Sequence, residues 1–251
     1  MPFTPAHPAV VLPLIRSKHF SATGLIIGSL SPDFEYFFKM SVDSFHSHSI
    51  AGLFYFDLPV TIVLSILFHQ LVKGNFIRNL PAFLQKRFLD TQHFNFLSYL
   101  GANWRVFLLS SLVGAASHVI WDSFTHSNRF FTRQFSDVYE SISVRFDGVN
   151  YPFFYVLQNV STAVGLLIVV LYVILKKPVG KEALMKPKIT YWLAIFAIAI
   201  VVLRLRFFIY PFDYDLGNVV VSSMTGLLVG VVVCGFINFR NIVHYQKSLD
   251  G

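Results

Sequence analysis

Long apolar stretches alternate with short polar segments along most of the chain. A hydrocarbon core about 30 Å thick needs about 20 helical residues to cross it. Four stretches meet that length, namely Ala51–Val72, Pro152–Leu175, Ile189–Tyr210 and Gly217–Phe239. A fifth stretch, Trp104–Trp121, is slightly short and carries polar side chains, but counting it as a span keeps the loops on alternating sides. The pattern therefore predicts an all-α integral membrane protein with about five transmembrane helices.

The N-terminal part of the chain is less regular. Two apolar segments, Pro8–Ile15 and Ser21–Leu30, are each too short to cross a membrane. We predict that they form short interfacial helices, with Ser21 as the N-cap of the second and Ser31-Pro32 at its end. The predicted regions are the N-terminal interfacial helices (1–49), a transmembrane helix bundle (50–240) and a C-terminal tail (241–251).

Composition agrees with a lipid environment. The 251 residues are 55% hydrophobic and 13% charged, with a mean hydropathy of +0.60, whereas soluble domains carry roughly 25% charged residues. The net charge of +7 is not read as a nucleic-acid surface, because the basic residues adjoin the hydrophobic stretches. Such a distribution is typical of a topology signal. The lone cysteine, Cys234, excludes an internal disulfide.

Loop charges predict the orientation of the bundle. The segments Lys73–Arg105 and Lys176–Lys188 are rich in lysine and arginine, and the tail carries two more basic residues. The positive-inside rule places these segments and the C-terminus inside. The N-terminus, the mixed-charge loop Asp122–Asn150 and the acidic connection near Asp213 then lie outside.

One polar cluster stands at the end of the second predicted span. His118, Asp122 and His126 are spaced four residues apart, so they share one face of a helix. Imidazole and carboxylate groups at this spacing can supply several ligands to one divalent metal ion. The alternative is a helix end whose polar residues simply meet water. We favour a functional site, because ionisable groups beside a membrane span are costly unless they face a cavity or a partner.

Further candidate ligands precede the first span. They are His7, Asp33, Glu35 and one of His46 and His48, which are two residues apart and would point apart on a helix. A helix cap for His7 and a turn position for Asp33 are the alternatives. The predicted topology places all these residues on the outer side, together with the end of the second span.

The residue types suggest which metal the site would bind. A set rich in histidine and aspartate without thiolates suits zinc, with manganese or iron as alternatives, and one or more ions are compatible with the number of ligands. Asp33 or Glu35 could act as general base.

An ordered set of motifs resembles a known family. The motifs are Met1-Pro2-Phe3-Thr4-x-x-His7-Pro8-Ala9, Gly28-x-x-x-Pro32-Asp33-Phe34-Glu35-Tyr36, His46-Ser47-His48-Ser49, Ser117-His118-x-x-Trp121-Asp122-x-Phe124-Thr125-His126 and Leu157-Gln158-x-x-Ser161. In this order they resemble the bacterial membrane-protein family called domain of unknown function 4184, over roughly residues 1–240. This resemblance implies a multi-pass protein of the bacterial cytoplasmic (inner) membrane.

More distantly, the pattern resembles the membrane-bound metal-dependent hydrolases related to YdjM, which have been likened to zinc-dependent phospholipase C. That resemblance implies metal ligation by His7, Asp33, His48, His118 and Asp122, with His126 as a further candidate. Phospholipase C also uses its free N-terminal amine as a ligand. His7 lies inside this chain, after Met1, so that detail does not transfer.

Two classes of function follow from these expectations. The first is a membrane-embedded metal-dependent hydrolase that cleaves a phosphoester or phospholipid at the outer membrane face, with membrane lipids as partners. The second is a non-enzymatic membrane protein with a structural metal, or a divalent-metal transporter. A transporter is expected to place its ligands near the bilayer midplane, which disfavours it here.

Overall fold

The computed structural model describes residues 3–179, 186–237 and 239. Within these residues, five helices are long and apolar enough to cross a membrane: Leu53–Asn79, Phe96–Gln134, Phe153–Leu175, Ile189–Ile209 and Leu216–Gly235. The prediction of a mostly helical, multi-pass membrane protein with short N-terminal helices is therefore confirmed. The predicted C-terminal tail (241–251) and loop residues 180–185 lie outside the described residues. The predicted region boundaries at residues 49 and 240 stay predictions.

The chain divides into two compact units. The first unit comprises Met1–Phe34, Phe45–Ile62 and Leu100–Leu175, and the second comprises Glu35–Ser44, Val63–Tyr99 and Lys176–Gly251. Each unit therefore combines segments that are distant in the sequence, and each is described by itself below.

Short helices begin the first unit. They are Pro8–Val11, which continues into a 3-10 turn at Leu12–Leu14, and Ala22–Leu30. The predicted N-cap is confirmed, because the Ser21 hydroxyl accepts a hydrogen bond from the amide of Gly24. The second helix passes directly into a 3-10 turn at Ser31–Asp33, where Pro32 removes a backbone donor.

Helix Ala22–Leu30 packs against the second span by close backbone approach. A Cβ atom on Gly28 would lie 2.4 Å from the Ser111 carbonyl oxygen, and one on Gly114 would lie 2.4 Å from that of Leu25. Neither position has room for a side chain. This contact holds the N-terminal segment against the helix that carries the His118 cluster.

The second span extends well beyond its predicted limits of Trp104–Trp121. Within the apolar stretch Phe96–Gln134, residues Phe96–Thr125 form one 30-residue helix with a kink at Asn103, and Phe130–Gln134 form a short separate helix. Its serines do not interrupt the helix, because Ser111 donates to the Phe107 carbonyl at 2.8 Å and Ser117 to the Gly114 carbonyl at 2.7 Å. A hydroxyl bonded to its own helix in this way is tolerated in a membrane span.

Regular structure fills the segment that was predicted as a mixed-charge loop. Two short helices, Phe130–Gln134 and Ser136–Ser141, precede an antiparallel hairpin of Ser143–Phe146 and Val149–Pro152. The hairpin turn consists of Asp147 and Gly148, with φ values of 48° and 77°. Positive φ at both turn residues is the geometry that an Asp-Gly pair favours in a two-residue hairpin. The third span, Phe153–Leu175, follows directly.

In the second unit, the last two spans form a tightly packed helix pair. Gly226 and Gly230 of Leu216–Gly235 face the backbone of Ala199 and Ile195, and an added Cβ would lie 2.8 and 2.7 Å from their carbonyl oxygens. Short helices at Phe34–Lys39 and Ala82–Phe88 complete the helical part of this unit.

The first span is continuous to Asn79 but includes two π-helical segments, Leu53–Asp57 and Phe68–Val72. The chain then breaks at Leu80 and Pro81 before the helix Ala82–Phe88 begins. The two helices are separate because Pro81 cannot continue the preceding one.

Candidate metal centre

Four side chains of the first unit converge on one point. Asp33, His48, His118 and Asp122 each offer one ligand atom, and these atoms lie within 4.8 Å of one another. Their side chains are no more than 4% exposed. A buried group of two carboxylates and two imidazoles has the composition of a site for a divalent metal ion.

The distances between the ligand atoms fit such an ion. Asp33 Oδ1 lies 3.4 Å from His118 Nε2 and 3.7 Å from His48 Nε2. Asp122 Oδ2 lies 3.4 Å from the same atom of His118 and 3.3 Å from that of His48. A tetrahedral ion with ligands at about 2.0–2.1 Å would hold neighbouring ligand atoms about 3.3–3.4 Å apart. The spacing is therefore close to that of a four-coordinate site.

The second span provides two of these ligands from one helical face. His118 and Asp122 are one turn apart on the helix Phe96–Thr125, as their spacing predicted. The Nδ1 of His118 lies 2.8 Å from the carbonyl oxygen of Ser29. A proton on Nδ1 satisfies this hydrogen bond and leaves the Nε2 lone pair for a metal, which is the usual arrangement of a metal-binding histidine.

A tight turn before the first span positions His48. Its Nδ1 lies 2.8 Å from the Ser47 hydroxyl, and the hydroxyl of Ser49 accepts from the amide of Gly52. An added Cβ on Gly52 would lie 2.0 Å from the carbonyl oxygen of His46, so the turn requires glycine there. The His46 ring instead contacts the Tyr55 hydroxyl at 3.0 Å. Of the two histidines left open by the sequence, the structure brings His48 into the group.

Asp33 ends the turn that follows helix Ala22–Leu30, and its side chain is fully buried. Burial by itself would raise the pKa of the Asp33 carboxyl. The positive charge of His118, whose Nε2 lies 3.4 Å from Asp33 Oδ1, outweighs it and, helped by His7, holds that pKa below its usual value. Asp33 is therefore an anion at neutral pH, as a metal ligand must be.

His7 lies against the same group, between the turn Thr4–Ala6 and helix Pro8–Val11. Its ring stacks on that of His118 with centroids 3.6 Å apart, and its Nε2 lies 3.6 Å from Asp122 Oδ1. Burial, followed by the charge of His118, lowers the pKa of His7 to about 3. The imidazole is thus neutral at physiological pH and able to bind a metal.

His126 closes the opposite edge of the group. Its Nδ1 lies 3.1 Å from the Asp122 carbonyl oxygen and 3.7 Å from Asp122 Oδ1. Its carbonyl accepts a hydrogen bond of 2.8 Å from the Thr132 hydroxyl, in the short helix beyond the span. The His126 side chain is 17% exposed, which is more than the side chains of His7, Asp33, His48, His118 and Asp122.

Glu35, the alternative general base, belongs to the second unit. Its carboxylate binds the Lys39 ammonium at 2.6 Å, one helical turn away. The catalytic roles predicted for Asp33 and Glu35 stay predictions, although Asp33 itself stands within the ligand group.

The electrostatics of the group favour a bound cation. Two buried carboxylates in such proximity are costly unless positive charge compensates them. Among the residues that the structure describes, several ligand atoms have no hydrogen-bond partner, namely His7 Nε2, Asp33 Oδ1, His118 Nε2 and Asp122 Oδ1. Buried polar atoms are rarely left in that state. A divalent metal ion would satisfy both the charge and the orphaned atoms, so the donor set fits the ion.

A protein-family model covers all the candidate ligands and most of the chain. It matches residues 1–236 and is described as a domain of unknown function, DUF4184. The chain belongs to the DUF4184 family. Each motif that suggested this family, apart from the one around Gln158, contributes a residue to the candidate metal centre or its edge. No curated protein and no solved structure matches the chain.

Two parts of the DUF4184 site were not found by sequence reasoning. One is the Ser29 carbonyl that orients His118, because a backbone acceptor leaves no mark in the residue pattern. The other is Thr132, whose hydroxyl binds both the His126 carbonyl and the Arg129 amide. The sequence gives no standard capping signal for it, because Arg129 stands at the N-cap where serine or threonine is usual and Thr132 stands where glutamate or glutamine is usual.

Proposed function

We propose that this protein is a membrane-embedded, metal-dependent hydrolase that uses zinc to cleave a phosphoester or phospholipid at the outer face of the bacterial cytoplasmic membrane. The observation that carries this proposal is the buried convergence of Asp33, His48, His118 and Asp122. A divalent ion bound there would lower the pKa of a bound water and polarise a phosphoryl oxygen.

The residues of the chain would prepare that chemistry in definite ways. His118 is oriented by the Ser29 carbonyl and Asp122 is fixed one turn further along the same rigid helix. Rigid positioning of this kind is what a catalytic metal needs from its protein. In the net reaction the water oxygen bonds to phosphorus, the bond from phosphorus to the leaving oxygen breaks, and one proton of the water goes to the leaving oxygen.

A nearby cavity would give a substrate access to the His126 edge. It has a volume of about 460 Å³, and its wall combines polar side chains such as Ser127, Asn128 and Thr132 with apolar ones such as Ile142, Pro152 and Phe154. Ser127, which follows His126, and Thr132, whose hydroxyl donates to the His126 carbonyl, both line the cavity, so it lies beside the His126 backbone. It offers polar contacts for the part of a substrate that the metal does not hold.

A structural metal is the second candidate function. The observation that favours it is burial, because the side chains of Asp33 and His118 are fully enclosed. Structural metal sites are closed, whereas catalytic sites keep a coordination position for water or substrate. The two functions therefore differ in what removal of the metal does to turnover.

Turnover by purified protein tests the hydrolase proposal. The panel would hold phospholipids with different headgroups and a generic phosphodiester, each with added zinc or with chelator. We expect metal-dependent hydrolysis by the wild type, a loss of at least about 100-fold in Asp122→Ala, and wild-type rates in His93→Ala. His93 is a matched control, because it lies in the second unit, far in sequence from every ligand.

The results of the substrate panel distinguish a hydrolase from a protein with a structural metal. Hydrolysis that persists in both Asp33→Ala and Asp122→Ala would refute the proposed mechanism. Stoichiometric metal together with absence of turnover across the panel, and a lower thermal midpoint after chelation, would establish the structural role instead.

A further inference from the structure

A second polar cavity lies in the second unit, apart from the metal centre and its ligands. Its volume is about 340 Å³, and most of its lining is polar. The side chains that matter for its chemistry are His69, Lys73, Asn75, Arg78, Gln92 and Asn95. None of these residues contributes to the metal group, and the proposed hydrolase function gives them no role.

The cavity lies where two membrane spans end. Its lining includes the last turns of Leu53–Asn79 and the final residue of Leu216–Gly235. Asn75 joins the two, since its amide nitrogen lies 3.1 and 3.2 Å from the carbonyl oxygens of Cys234 and Gly235. The ends of membrane helices lie at the depth of the lipid headgroups. The cavity is therefore at the level where phosphate groups are found.

Its charge is positive and not offset within the lining. Lys73 and Arg78 are part of the wall, whereas none of the described residues that line it is an aspartate or a glutamate. Lys73 is only 5% exposed, and its ammonium donates one hydrogen bond, of 2.8 Å, to the Phe94 carbonyl. An ammonium has three donors, so two remain for a ligand. A buried lysine that faces a polar cavity calls for an anion there.

The helix ends would by themselves oppose an anion, because C-terminal carbonyls carry partial negative charge. Here the Asn75 amide neutralises part of that edge, since it donates to carbonyls at the end of Leu216–Gly235. The amide groups of Gln92 and Asn95 add further neutral donors around the two cations.

We propose that this cavity binds a phosphate group, supplied by the headgroup of an anionic phospholipid or by free phosphate. Lys73 provides the buried charge, Arg78 the exposed one, and the surrounding amides the remaining hydrogen bonds. The site is independent of the metal centre and does not rest on the proposed hydrolase function.

Binding measurements on the detergent-purified full chain test this proposal. Native mass spectrometry would compare retention of phosphatidylglycerol and phosphatidylcholine, and a parallel titration would use inorganic phosphate. The variants are Lys73→Gln, which keeps a donor for the Phe94 carbonyl, and Arg78→Gln at an exposed position. Lys86→Gln is the matched control, because it removes a cation of the same unit outside the cavity lining.

We expect phosphatidylglycerol to bind more tightly than phosphatidylcholine, and each cavity variant to weaken its binding about fivefold, as expected for one basic residue near a membrane surface. Lys86→Gln should bind as the wild type does. If inorganic phosphate binds, and the same variants weaken that binding, the free anion is the source of the phosphate group. The proposal would be overturned if Lys73→Gln and Arg78→Gln bound both phosphatidylglycerol and inorganic phosphate with the same affinity as the wild type.

Discussion

Charged side chains are buried in both units, but they are compensated differently. In the second unit the Glu35 carboxylate binds the Lys39 ammonium. Asp213 binds the Arg206 guanidinium and accepts a further hydrogen bond of 2.7 Å from Asn218. In the first unit Asp33 and Asp122 face imidazoles at 3.3–3.7 Å instead.

The two kinds of compensation serve different purposes, one the stability of the fold and the other the binding of a ligand. An ion pair completes its own charge balance within the protein, so it needs no ligand. A pair of carboxylates ringed by imidazoles, with orphaned ligand atoms, offers an added cation both charge balance and ligands. The first unit is therefore arranged for a metal ion, whereas the acid–base pairs of the second unit serve the fold.

The largest expected effect concerns the two histidines before the first span. His48→Ala removes a ligand, so zinc affinity should fall by more than the roughly 10–100-fold that loss of a supporting contact costs. His46→Ala should leave zinc affinity near the wild-type value, because the His46 ring contacts Tyr55 instead. Competition with a zinc-chelating dye measures both variants. Equal losses in the two variants would contradict the assignment.

Removal of the metal should come next in size. A ligand present at 1,000 times its dissociation constant stabilises a protein by about 4 kcal/mol. For a chain of this length that corresponds to a drop of about 10 °C in the thermal midpoint on chelation. Differential scanning fluorimetry measures the shift, and Asp33→Ala should show none, because it has no metal to lose. If chelator left the wild-type thermal midpoint unchanged, the buried charge of the first unit would not depend on a metal ion.

Packing beneath the metal centre should have a smaller effect. Gly28→Ala places a Cβ atom 2.4 Å from the Ser111 carbonyl oxygen, and overpacking of this kind costs about 1–3 kcal/mol. The metal affinity should fall as well, since the neighbouring Ser29 carbonyl orients His118. Thermal midpoint and zinc titration report the two effects.

Gly101→Ala is the matched control for this substitution. Nothing lies within 4 Å of the added Cβ in the same helix as His118, so alanine should be neutral or stabilise the helix by up to about 1 kcal/mol. If both glycine variants behaved alike, the close approach at Gly28 would not be what positions His118.

The smallest expected effect lies in the second unit. Asp213→Asn weakens the pair with Arg206, but Asp213 is 41% exposed, so the loss of stability should stay within about 1 kcal/mol. Metal content should not change. A variant of this ion pair that lost its metal would show that the two kinds of buried charge are coupled.

Sequence reasoning found the helical ligands more readily than the others. His118 and Asp122 lie one turn apart on a long apolar helix, so helical periodicity alone places them on one face. His48 lies in a turn, where no periodicity applies, and its distinction from His46 depends on the tight approach at Gly52.

The close packing of Gly28 was not predictable from its spacing to Gly24, because pairs of small residues are common in membrane helices. The hairpin around Asp147 and Gly148 did carry a recognisable turn signal. That signal was overlooked, because the segment was interpreted from its mixed charge as a loop. Long apolar helices were thus predictable from local pattern, whereas contacts between segments distant in the sequence required the fold.

X-ray absorption spectroscopy of the purified, metal-loaded protein tests the central claim most directly. The account predicts one tightly bound divalent ion at the Asp33, His48, His118 and Asp122 group, with nitrogen and oxygen neighbours at about 2.0–2.2 Å and the scattering signature of imidazole. That signal should disappear in His118→Ala. Protein that binds no metal, or an unchanged imidazole signal in His118→Ala, would contradict the account.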